Sequence, residues 1–135
     1  MQDPRCVMIL NAMLPPGKAT NAAAVMALTL GQRHPALIGE SLQDAESRPS
    51  PGLITTGIPV LSATDEQLSV LQEQCEQAEL DLVLFPEEGQ STTDYQALCA
   101  VMRQQPRQQW RLLGIAIVGD KKVLRKLTAK LALFS

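Results

Sequence analysis

The chain has 135 residues, of which 45 % are hydrophobic and 19 % charged, with a formal net charge of −2. That length fits one domain, residues 1–135, with a real core, and the apolar content excludes a disordered chain. The charge balance argues against a protein held to nucleic acid by overall electrostatics. Only Phe85, Tyr95, Trp110 and Phe134 are aromatic, so the core must be aliphatic and stacking platforms are scarce. No apolar run approaches the roughly 20 residues that span a bilayer, and the opening MQDPR is too polar for a signal peptide. These features predict a cytoplasmic protein with no membrane attachment. Cys6, Cys75 and Cys99 fall on periodic apolar positions and read as reduced core residues, while His34 reads as a solvated loop histidine.

The first predicted strand covers about Arg5 to Ala12, and its continuous apolar character suits burial on both faces. Leu14-Pro15-Pro16-Gly17 breaks it. An alanine-rich helix follows from Lys18 to Leu30, apolar nearly all round and therefore expected to be buried, with Gly31 as its stop. Residues 35–57 predict an irregular excursion or small hairpin, with a short strand at Ala36 to Ile38. Ile58 to Leu61 predicts another short strand, and Pro59 favours an edge or a strand start.

Thr64 and Gln67 form a capping-box pattern for a helix running to about Ala78. Leu80 to Phe85 predicts a strand, and Pro86 to Gln90 a loop. Ser91 with Asp94 reads as the cap of a third helix whose apolar face is Tyr95, Leu98, Cys99 and Met102. Trp110 to Val118 predicts the next strand. Asp120 then caps a last helix with Val123, Leu124 and Leu127 turned inward. Strands alternating with helices predict an α/β fold in three layers, with one small sheet and helices on both of its faces.

Three stretches carry candidate chemistry. Gly17-Lys18-Ala19-Thr20 fails as a phosphate loop, because the first glycine falls at Ala12 and Ala19 replaces the hydroxyl that must follow the lysine. What survives is a lysine at a helix start, where backbone N–H groups favour an anion. The second stretch is PEEGQSTTDY. Glu87 and Glu88 supply a general base or a partner for Lys18, and Gln90, Ser91 and Thr92 supply hydrogen bonds, although the same residues also suit plain helix capping. The third is DKKVLRKLTAK, where Lys122, Lys126 and Lys130 make a stripe flanked by Lys121 and Arg125. It reads as a solvated face or as a phosphate contact.

Four segments together, LPPGKATNAAAVMALTLG, PGLITTGIPVL, GQSTTDY and LLGIAIVGDKKVLRKLTAKLALF, resemble the type 2 peptidyl-tRNA hydrolase fold. They resemble still more closely an uncharacterised bacterial domain-of-unknown-function family (number two thousand) in that superfamily. The resemblance implies a mixed sheet of about four to five strands, a homodimer, and metal-independent, cofactor-free ester cleavage. It carries the hydrolases' lysine onto Lys18 and their Asp-Ala-Gly-x-Thr loop onto Glu87-Glu88-Gly89-Gln90-Ser91. The chain departs from the hydrolases in two places. Asn21 and alanines stand where Gln and His are usual, and an extra helix at about Thr93 to Gln104 follows the loop.

Three functional expectations result. The first is a small anionic or acyl ligand between Lys18 and the Glu87–Thr92 loop. Lys18, Glu87, Glu88 and Ser91 would do any chemistry, and Asn11, Asn21, Gln90, Thr92, Lys121 and Lys122 would bind. The second is a peptidyl-tRNA esterase, with tRNA as its partner. The third is a non-enzymatic dimeric regulatory module.

Overall fold

A computed structural model describes residues 2–135. Its frame is a four-stranded mixed sheet built from β1 (Pro4–Asn11), β4 (Val60–Ala63), β5 (Asp81–Pro86) and β6 (Leu112–Asp120), in the order β4-β1-β6-β5. β1 and β4 pair in parallel, and β6 runs antiparallel to both β1 and β5. The carboxyl ends of β1, β4 and β5 therefore lie at one end of the sheet, where β6 begins. A separate two-residue hairpin, β2 (Leu42–Gln43) with β3 (Pro49–Ser50), lies in the 35–57 excursion.

Alternation along β1 and β6 divides the core in two. Cys6, Met8 and Leu10, with Ala116 and Val118, pack against Ala19, Ala22, Met26 and Leu30 of α1 (Pro16–Arg33). On the opposite face Val7, Ile9, Ile115 and Ile117 meet Leu68, Leu71 and Cys75 of α2 (Asp65–Gln77) and Leu124 of α5 (Lys121–Leu127). Both faces of the two central strands are covered, so Cys6 to Leu10 of β1 and Leu112 to Gly119 of β6 carry no charged or polar side chain. A bulge between Phe85 and Pro86 of β5 leaves Leu113 without a partner in the register and turns it to the α1 side.

The capping box forms as expected: the Gln67 N–H donates to the Thr64 hydroxyl and the Thr64 N–H donates to the Gln67 side chain. β4 is an edge strand preceded by Pro59, but its outer side is closed by the chain's end. Ser62 N–H donates to Ala132 O and Phe134 N–H donates to Val60 O.

Several expectations need correction. Helix α1 is buried along one stripe only, and Leu28 is 80 % exposed because the short alanines let the helix approach the sheet on one face while nothing covers the other. Ala36 to Ile38 forms no strand: Pro35–Leu37 is a 3-10 turn, and only Ile38 bridges, to Ile54. The loop after Phe85 contains a single helical turn, α3 (Glu88–Ser91), and Asp94 rather than Ser91 caps α4 (Tyr95–Met102) by accepting from Gln96 N–H. No α4 residue is fully buried, so Cys99 is only half-buried, unlike Cys6 and Cys75.

At the last helix, Asp120 accepts from Asp3 N–H instead of from the helix it precedes, and Val123 is exposed. His34 is half-buried against Asp81, with Nε2 2.5 Å from Oδ2, and the Arg33 guanidinium holds the same carboxylate. The shared carboxylate explains why this histidine is not solvated.

Candidate functional site

At the common carboxyl end of β1, β4 and β5 lies a crevice of about 260 Å³. The β1–α1 turn supplies Asn11, Leu14 and Lys18, the β5–α3 turn supplies Glu87, Gln90 and Ser91, and the foot of β6 adds Arg111 and Leu113. Ligands favour this end of α/β sheets because loops leave the strands there and backbone groups are free to turn outward.

One wall is a fixed polar network. Asn11 is 1 % exposed and spends its whole amide: Nδ2 donates to Asp65 Oδ1 at 2.8 Å and to Leu112 O at 3.2 Å, and Oδ1 accepts from Met13 N–H at 3.0 Å. Arg111 then joins two carboxylates, with Nη1 2.7 Å from Glu87 Oε2 and Nε 3.3 Å from Asp65 Oδ1. The hydrogen bond that Arg111 donates to Glu87 and the charge of Asp65 raise the Arg111 pKa, so the guanidinium is a permanent cation. Glu87 N–H also donates to Arg111 O at 2.9 Å, which ties the loop to β6.

The facing wall is set by Gln90. Its Nε2 donates to Lys18 O at 2.9 Å and to Asn21 Oδ1 at 3.0 Å, bonding α3 to the first turn of α1. Its Oε1 is buried and accepts from no group among the described residues. The Lys18 side chain is exposed and makes no ion pair among the described residues. Glu87 lines the crevice and Asp65 stands behind it; Arg111 engages both, which leaves Lys18 as the lining cation without an ion pair among the described residues.

Lys18, Glu87, Ser91, Asn11 and Gln90 thus meet at one crevice, and Asn21 supports it from behind through Gln90. The remaining candidates lie elsewhere. Glu88 turns away, its Oε2 accepting from Gln105 Nε2 at 3.1 Å, and the Thr92 hydroxyl donates to Glu88 O at 2.7 Å. Lys121 lines a different cavity at the opposite end of β1, and Lys122 is exposed on α5. The cationic stripe is also interrupted, because α5 ends at Leu127 and Lys130 falls beyond it. No group of three or more His, Cys, Asp or Glu residues is placed to hold a metal ion among the described residues.

Sequence reasoning missed Arg111 and Asp65. Their signal was topological: antiparallel pairing of β5 with β6 sets Pro86 opposite Leu112, so the next residues outward, Glu87 and Arg111, become neighbours. Parallel pairing of Asn11 with Ala63 likewise brings the start of α2 beside Asn11.

A family model described as protein of unknown function (DUF2000) matches residues 4–135. The chain belongs to that family. DUF2000 membership therefore takes in every residue of the crevice. A solved structure of the protein of unknown function Atu0240 from Agrobacterium tumefaciens strain C58 is similar over 100 % of both chains, with a TM-score of 0.90 and 21 % sequence identity. At that identity the likeness concerns the fold. No curated protein matches the chain.

Proposed function

We propose that this DUF2000 protein binds a small anionic or acyl ligand in the crevice between Lys18 and the Glu87–Ser91 turn. The observation that carries the reading is the exposed Lys18 ammonium, which lines a crevice whose lining carboxylate, Glu87, is already held by Arg111. An anionic group there gains a charge-assisted hydrogen bond without displacing an existing pair. Ser91 supplies a hydroxyl for the rest of the ligand.

Chemical-shift titration with acetate, N-acetylglycine and phenyl phosphate tests this. Saturable shifts at residues 11–21 and 87–92 that disappear in Lys18→Ala are expected. Silence at both loops with all three probes rejects the reading.

A second reading keeps the peptidyl-tRNA-hydrolase likeness and treats the crevice as an ester-cleaving site. It is favoured by the juxtaposition of Lys18, Glu87 and Ser91, the three positions the resemblance selects. Lys18 would then face the developing oxyanion, a role worth roughly 3 to 4 kcal/mol in comparable sites. Release of peptide from tRNA should fall by two to three orders of magnitude in Lys18→Ala, and unchanged release rejects it. The exposed apolar residues Val25 and Leu28 on α1 support a homodimer in either reading. Cytoplasmic residence belongs with both.

A further inference from the structure

A second cavity, of about 380 Å³, opens at the amino end of β1, at the far end of the strand from the Lys18 crevice. It exists because β4 is shorter than β1. Their pairing starts at Met8 with Val60, so Pro4 to Val7 pair with β6 on one side and have no strand on the β4 side. Pro59 maintains the gap, because it has no N–H with which to continue the ladder.

The Met8 N–H points to the β4 side, where it donates to Pro59 O. By alternation the Cys6 N–H points the same way, and it has no partner among the described residues. The floor is aliphatic, formed by Val7, Ile58, Leu61 and Leu124. The rim carries three cations: Arg5, Lys121 and Arg125. Only Arg5 is compensated, by Asp3 at 3.1 Å. Lys121 and Arg125 form no ion pair among the described residues. The Cys6 side chain packs on the α1 face, where burial pushes its thiol up to about 11 and keeps it protonated at neutral pH.

We infer that this cavity binds an aliphatic carboxylate, its chain lying on the apolar floor and its head group held by Lys121, Arg125 and the Cys6 N–H. The volume lies at the lower end of small-molecule sites, roughly 300 to 1,000 Å³, which suits a single short chain. Neither part of the cavity suffices alone: a purely polar anion leaves the floor wet, and an uncharged chain leaves two cations and a backbone donor unmatched. The site is independent of the reading given to Lys18.

The test is a chemical-shift titration of the full chain with hexanoate, octanoate and decanoate, each below its micelle-forming concentration, and with decanol. Shifts are expected at Cys6, Val7, Leu61 and Leu124, with affinity rising about fourfold per methylene. Decanol should bind at least tenfold more weakly than decanoate. Lys121→Glu and Arg125→Glu, both on the rim and away from the core, should each weaken decanoate binding at least fivefold, while Lys18→Ala leaves it unchanged. Shifts confined to the Lys18 crevice, equal binding of decanol and decanoate, or binding untouched by both charge reversals would overturn the inference. So would attachment to anionic vesicles with no response to free carboxylates, which would assign these cations to a lipid surface.

Discussion

Arg111 donates to Glu87 across 2.7 Å, and with the same guanidinium it reaches Asp65, so a single side chain from β6 links the loop after β5 to the start of α2. That link decides what the crevice offers a ligand. It takes one oxygen of Glu87 out of use, and Lys18 forms no ion pair among the described residues. Arg111→Gln should therefore release Glu87 toward Lys18 and reduce anion affinity severalfold. The fold should lose only about 0.5 to 1 kcal/mol, because the pair is exposed on both sides. Anion titration and denaturant melting, read together, separate the two effects.

Asn11 is the buried polar member of this network. Replacing it with Ala leaves the Leu112 carbonyl and the Met13 N–H without their partner and costs about 2 to 3 kcal/mol. The expected outcome is a lower midpoint in urea with the slope of the transition unchanged. A loss below about 0.5 kcal/mol would mean that water replaces the amide at no cost.

Gly89 packs its bare backbone on the ring of Phe85. A Cβ there would sit 2.6 Å from the ring's Cε1, and Phe85 is buried and unable to retreat. Gly89→Ala should push α3 outward, break the Gln90 bonds to Lys18 and Asn21, and cost about 1 to 3 kcal/mol. Amide exchange across residues 87–92 should rise, while the start of β1 stays protected.

Asp81 couples the end of α1 to the edge of the sheet. The Arg33 hydrogen bond, aided by His34, holds the Asp81 carboxyl below its usual range against a smaller opposing effect of burial. A carboxyl with a depressed pKa in the folded state stabilises the protein above the unfolded value, near pH 4, and loses that contribution as pH falls through the folded value. Asp81→Asn should thus be less stable than the parent at pH 7, by about 0.5 to 1 kcal/mol. The gap should close on acidification below the usual carboxylate range, as melting temperatures measured from pH 2 to 7 would reveal.

Local order is legible along the chain wherever neighbouring residues supply the cause. The apolar run of β1 and the Thr64–Gln67 capping box each act within a few residues, and each appears where the pattern places it, whereas α1 takes in Pro16 and Gly17 at its start and runs through the expected stop at Gly31 to Arg33. The meeting of Lys18 with the Glu87–Ser91 turn was also foreseeable, since both follow strands whose carboxyl ends share one edge of the sheet.

What the sequence by itself determined is the alternation of strands and helices, the two-faced core and the end of the sheet where the crevice opens, because periodicity and turn chemistry are short-range. Only the tertiary structure decided which charges meet. Arg111 and Asp65 entered the site through strand pairing, His34 left solvent through Asp81, and α1 kept an exposed apolar face. Pairing order, register and the side of a helix left uncovered depend on residues 24 to 117 positions apart, and no local pattern encodes such separations.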